Sequence, residues 1–122
     1  MRRLVYRNSK ELYRGGHGEP SRYRIDFARI NRAALSVLPA LLARWLPGGR
    51  TEGDEYIVCN PQRDDRNPGS FRINIRSGKW ADFAVEGAKG GDIIALAAYL
   101  AGIDQAEAAE RLAEMIEARN VR

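Results

Sequence analysis

The side chains able to do chemistry gather in two stretches. The first is Asn60-Pro61-Gln62-Arg63-Asp64-Asp65-Arg66-Asn67-Pro68-Gly69-Ser70-Phe71, and the second runs from Lys79-Trp80-Ala81-Asp82-Phe83 to Lys89-Gly90-Gly91-Asp92. Paired carboxylates such as Asp64-Asp65 can hold divalent metal, but these sit between Arg63 and Arg66 in a turn-forming run, where ion pairing and Asx turns are ordinary roles. His17 and Cys59 are the single histidine and the single cysteine. Cys59 has no basic partner close in sequence and there is no Ser/His/Asp set, so no catalytic residue is assigned. A structural zinc needs four ligands, which one Cys and one His do not supply, and no metal, cofactor or internal disulfide is expected. Lys89-Gly90-Gly91 ahead of a helix start has the outline of a phosphate cradle. It lacks the Gly-Lys-Ser/Thr of a P-loop and Asp92 repels phosphate, so a glycine turn that allows close packing is preferred.

What remains is binding. Ser70 to Ile75 alternates, with Phe71, Ile73 and Ile75 inward and Arg72, Asn74 and Arg76 outward. A two-residue turn at Ser77-Gly78 would return the chain through Lys79 to Phe83 as a hairpin. In that register Arg76 pairs with Lys79, Ile75 faces Trp80 on the core side, Asn74 faces Ala81 and Arg72 faces Phe83. Asp82 then falls on the core side opposite Ile73, where a carboxylate needs backbone donors or an Arg; either it is buried at an edge or the register is off by one. The outer face offers Arg72, Asn74, Arg76 and Lys79 beside the loop residues Arg63 and Arg66, with Lys89 following and Phe83 or Tyr56 as a stacking ring. Single-stranded nucleic acid needs that mixture. The same residues also suit an ordinary solvated sheet face on which Arg72 covers Phe83. Trp80 reads as core.

These stretches need elements to position them. From Asp26, a candidate N-cap, Phe27, Ile30, Ala33, Ala34, Val37, Leu38, Leu41, Leu42, Trp45 and Leu46 recur at spacings of three and four up to Pro47-Gly48-Gly49. Pro39 predicts a kink or break near Val37, while the unbroken phase of the stripe favours one bent helix. Glu55 to Asn60 is a short β-prone run. Asp92 caps an almost wholly apolar helix from Ile93 to Ala101, stopped by Gly102. Asp104 and Glu107 open a helix from Gln105 to Ala118, whose Ala106, Ala109, Leu112, Ala113 and Ile116 form the buried stripe and whose acidic residues face solvent.

A chain of 122 residues with 44% hydrophobic and 30% charged positions suits one compact domain with its own core. No apolar run of about 18 residues exists, so no transmembrane helix is expected. The basic start, Met1 to Lys10, lacks the apolar stretch of a secretory signal, which predicts a cytoplasmic address. Residues 1–50 carry a net +8 and residues 51–122 a net −4, giving +4. Seventeen of the twenty basic residues are Arg, a bias that suits bidentate phosphate contacts and that GC-rich coding also produces. Residues 1–25 read as a flexible basic arm with breakers from Gly15 to Ser21 and at most partial pairing through Leu4-Val5-Tyr6; a solvated tail is preferred to a specific nucleic-acid arm. Residues 26–122 form the single domain, and the chain ends at Arg122 just after a helix, as an excised or stand-alone domain would.

The order of the motifs resembles the zinc-ribbon domain at the N-terminus of bacterial replicative DNA primases. That family shows Cys-Pro-x-His-Asp-x-x-x-Pro-Ser-Phe, a β-hairpin, a Cys-x-x-Cys knuckle and a Gly-Gly-Asp opening an apolar helix. Pro61, Asp64 or Asp65, Pro68, Ser70 and Phe71 match the first segment with Gly69 inserted, and Gly90-Gly91-Asp92 matches the last, so the likeness spans residues 54 to 101. On these anchors the first-segment ligand positions become Asn60 and Arg63, the knuckle ligands fall at about Ala84 and Gly87, and Cys59 sits one place off. The chain therefore looks like a metal-free relative, closest to the N-terminal modules of plasmid, phage and mobile-element primase-helicase proteins, which similarly show Trp-Ala-Asp-Phe followed by Gly-Gly-Asp. Losing zinc removes roughly 10 kcal/mol or more of metal-coupled folding energy, which packing must replace; the helix with Leu42, Trp45 and Leu46 can enlarge the core.

The expected fold is α+β, a small antiparallel, zinc-ribbon-like sheet packed with an N-terminal helix and two C-terminal helices. The resemblance implies a non-catalytic module that binds single-stranded template DNA for a primase or primase-helicase, with single-stranded DNA and primase or helicase domains as partners and no membrane. The residues assigned to nucleic acid are Arg63, Arg66, Arg72, Asn74, Arg76, Lys79, Phe83 and Lys89. The alternatives are an adaptor docking on helicase or primase domains and a small regulatory protein of a mobile element.

Overall fold

The computed structural model describes residues 25–63 and 68–120. The basic arm up to residue 24 and the loop residues Asp64, Asp65, Arg66 and Asn67 lie outside the described residues.

Asp26 caps helix α1 (Phe27–Ser36), its Oδ1 accepting from the Arg29 amide at 3.2 Å. Val37 then leaves helical geometry (φ −122°, ψ 21°), and α2 (Leu38–Trp45) starts with Pro39 in its first turn. Pro39 has no N–H to offer the Leu35 carbonyl, so the helical ladder stops and restarts. The Val37 amide bonds back to Ala34, and its carbonyl accepts from Ala40 and Leu41. The N-terminal element is thus two helices, where the sequence pattern favours one bent helix. The apolar stripe stays in phase across the break, with Ile30, Ala34, Leu38, Leu41, Leu42 and Leu46 all buried.

Among the described residues five antiparallel strands follow in chain order: β1 (Arg50–Glu52), β2 (Glu55–Val58), β3 (Phe71–Asn74), β4 (Trp80–Asp82) and β5 (Lys89–Gly90). Val58, Phe71, Ile73 and Trp80 on one face share a core with buried residues of the four helices among the described residues, completing the α+β fold. The hairpin register differs from the two-residue turn: Phe71 pairs with Asp82, Arg72 with Ala81 and Ile73 with Trp80. The reason is Asn74, whose Oδ1 accepts from the amides of Arg76 and Ser77, both at 2.9 Å, and whose carbonyl accepts from Gly78 at φ +83°. The chain turns over Ile75 to Gly78 and the pairing moves by two positions, so the side chains that remain on β3 and β4 keep their expected faces. Asp82 is core-facing and only 2% exposed.

Trp80 is buried, edge-on to Phe71 with ring centroids 6.3 Å apart, and its Nε1 donates to the Asp92 carbonyl at 3.2 Å. Gly90 is there for the indole, since a Cβ would lie 2.6 Å from Trp80 Nε1. Helix α3 (Ile93–Ala101) has two caps: Asp92 Oδ1 accepts from the Ala95 amide at 2.9 Å, and Asn31 Oδ1, from α1, accepts from the Ile94 amide at 3.0 Å. Gly102 ends it in the left-handed region (φ 69°). Helix α4 (Gln105–Asn120) is capped by Asp104, which accepts from the Glu107 amide at 2.8 Å. Its buried stripe is Ala108, Ala109, Leu112, Ala113 and Ile116; Ala106, placed in the stripe by spacing, is exposed.

Candidate nucleic-acid interface

The segment after β2 folds onto one carboxylate. Asn60, 1% exposed, donates from Nδ2 to Asp82 Oδ2 at 2.8 Å and to the Tyr99 hydroxyl at 2.9 Å, while its Oδ1 accepts from the Gln62 amide at 2.8 Å. Arg63 Nη1 lies 3.2 Å from both Asp82 Oδ2 and Ser70 Oγ, and the Ala84 amide donates to Asp82 Oδ1 at 2.9 Å. Burial by itself would raise the Asp82 pKa; hydrogen bonds from Asn60, the Ala84 amide, Ser70 and Arg63 outweigh it and hold the carboxyl at about 2. Gln62 fastens the same segment to the end of α3, its Nε2 donating to the carbonyls of Tyr99 at 2.9 Å and Leu100 at 3.0 Å. The Tyr99 ring packs 5.1 Å from Trp80. Three of the four positions that the primase resemblance sets at metal ligands, Asn60, Arg63 and Ala84, therefore meet at Asp82. Packing alone is the sequence expectation for what holds this region; a hydrogen-bonded clasp shares the task, and spacing could show only that Asp82 needed donors.

Arg63, assigned to nucleic acid as a loop residue beside the sheet face, has its Nη1 engaged by Asp82 and Ser70. Asn74 serves the turn and also donates to Glu55 Oε2 at 3.3 Å. Arg76 lies in the turn, off the strand, with Nε 3.0 Å from Asp54 Oδ1. Tyr56, offered as a stacking ring, packs against the core, and its hydroxyl donates to the Leu46 carbonyl at 2.6 Å. Arg66 lies outside the described residues.

Four assigned residues remain together on the outer face. Arg50, Ile57, Arg72, Ala81 and Lys89 stand in one row across all five strands. Ala81 leaves a low point between Arg72 and Lys89, whose backbones are about 10 Å apart at two strand spacings. Phe83, the first residue after β4, donates its amide to the Ser70 carbonyl at 2.8 Å and is 76% exposed. Lys79, the residue just before β4, is also exposed. Arg72 is half-buried, its Nε donating to the Gly69 carbonyl at 2.9 Å, and it lines a shallow cleft of about 530 Å³ with Phe83, Ser70 and Glu55. On the β1–β2 side of this face Arg50 is paired with Glu52 (Nε to Oε2, 2.8 Å) and Glu55 adds a carboxylate, so the net positive charge lies toward β3, β4 and β5. Among the described residues no three His, Cys, Asp or Glu side chains cluster as a metal site would require, and no helix is long and apolar enough to cross a membrane. Comparison with family models, curated proteins and solved structures finds no match for this chain.

Proposed function

We propose that the outer face of β3–β5 binds single-stranded DNA, and that the chain serves as a non-catalytic template-binding module of a primase or primase-helicase. The observation that carries the reading is Phe83: a ring 76% exposed just past the end of β4, lining one cleft with Arg72 on the side of the sheet that carries Lys89. An exposed aromatic beside a line of cations lets a base stack while its phosphates are neutralised, without demanding a particular sequence. A duplex offers no unstacked base to such a ring, which makes single strands the preferred ligand. The primase assignment rests on the motif order together with the convergence of Asn60, Arg63 and Ala84 on Asp82.

The test is fluorescence anisotropy with labelled single- and double-stranded oligonucleotides. Single strands should bind more tightly than duplexes, and Phe83→Ala should weaken single-strand binding by roughly 1–3 kcal/mol. Phe83 makes no core contact that the fold depends on, so circular dichroism should be unchanged. Equal affinity of Phe83→Ala and wild type would remove the ring from the site, and absence of binding at low salt would end the proposal.

A further inference from the structure

On the helical side of the sheet, an open apolar groove of about 390 Å³ runs between α3 and α4. Its walls are Trp45, Leu100, Ile103 and Met115, each packed against the core on one side and left partly exposed on the other. Ala97 and Ala101 keep the α3 side low. Arg111 is the only charged side chain among the lining residues and is held by Glu107; the Trp45 indole N–H is the one other side-chain donor there. Asp104, Glu107, Arg111 and Glu114, spaced by three and four residues, form an exposed ridge along the α4 side. Three of the four are carboxylates.

We infer that this groove receives one amphipathic helix of a protein partner, with apolar anchors on the groove face and Lys or Arg along the edge that meets α4. Each other class of ligand fails on a named feature. A small-molecule site needs several convergent polar groups to fix orientation, and the lining side chains provide two donors, Arg111 and the Trp45 indole, and no oxygen acceptor. Nucleic acid and anionic lipid meet the acidic ridge with like charge. A helix laid across two helices buries apolar side chains from successive turns in such a groove, and basic residues on its flank complement Asp104, Glu107 and Glu114. Binding here leaves the outer sheet face open, so one chain holds both a basic sheet face and an acidic α4 edge.

The probe is a Leu/Lys amphipathic peptide of about 15 residues, long enough to form a helix on binding, compared with the same peptide carrying Glu for Lys. Binding to the full-length protein is followed by tryptophan emission, to which Trp45 in the groove contributes, and by NMR shifts. The Leu/Lys peptide should bind saturably, shifting Leu100, Ile103 and Met115, and the Leu/Glu peptide at least about tenfold more weakly. Ala101→Arg places a bulky cation in the groove from an exposed position and should cost about tenfold or more in peptide affinity. Glu107→Lys with Glu114→Lys should reverse the preference between the peptides. The inference fails if neither peptide binds, if both bind alike, or if Ala101→Arg leaves affinity unchanged. It also fails if oligonucleotide shifts the groove residues, or if sedimentation shows a dimer that Ala101→Arg dissociates, which would make a second copy the occupant.

Discussion

Asp82 is a buried carboxylate whose neighbours all stabilise its charged form. The linkage has a definite sign. Its pKa of about 2 in the folded chain lies below the value near 3.9 of an unfolded aspartate, so the unfolded chain binds the proton more readily. The resulting stabilisation is fully present above a pH of about 4 and disappears as pH falls toward 2, an effect of roughly 2 kcal/mol. Thermal unfolding of wild type and Asp82→Asn across this range should show a stability gap that closes with acid; a gap independent of pH would contradict the clasp. Asp82→Ala should be worse, at about 3–5 kcal/mol by chemical denaturation, because it leaves the Asn60 and Arg63 donors facing an empty site. Arg63 follows from the same geometry. As a clasp residue its replacement by Ala should lower stability more than it lowers nucleic-acid affinity per folded molecule, the opposite of what its assignment to the interface from sequence would give.

At the scale of elements, Gly90 and Trp80 act as one unit at the meeting of β4, β5 and α3. Gly90→Ala should destabilise by about 1–3 kcal/mol, since its Cβ must displace the indole, and Trp80→Ala by about 3–5 kcal/mol. Equilibrium denaturation of the double variant should fall short of the sum, as residues in contact are not additive. The caps at Asp26, Asp92, Asp104 and Gly102 were all legible in the sequence because each acts within about one turn of its own helix. Strands β1 and β5 were not, having three and two residues and therefore no alternation to recognise. The hairpin register was hidden because Asn74 turns the chain with its side chain, whereas face parity survived because the shift was even. Lys79 and Phe83 were legible as exposed through that parity, whereas the placement of Lys89 beside Ala81 was not, because β5 was not read as a strand. The engagement of Arg63 was not, since its partner lies 19 residues away and only the need of Asp82 for donors showed in the pattern.

At the scale of the whole molecule, charge is divided by location. The sheet face presents Arg72, Lys79 and Lys89 around Phe83, and α4 presents Asp104, Glu107 and Glu114. A nucleic acid approaching this molecule is drawn to the first surface and turned away from the second. The proposed interface holds about three cations, so the logarithm of single-strand affinity should fall with the logarithm of salt concentration at a slope of roughly −2. Lys79→Glu with Lys89→Glu changes two exposed residues and leaves the half-buried Arg72 and the core untouched, so it isolates the charge of the face from its folding. The direct measurement is the affinity of this double variant and of wild type for one labelled single-stranded oligonucleotide across a salt series. Binding by the sheet face predicts a loss of more than about tenfold at low salt and a much shallower slope in the variant; unchanged affinity and an unchanged slope would show that the cations of β4 and β5 bind no nucleic acid.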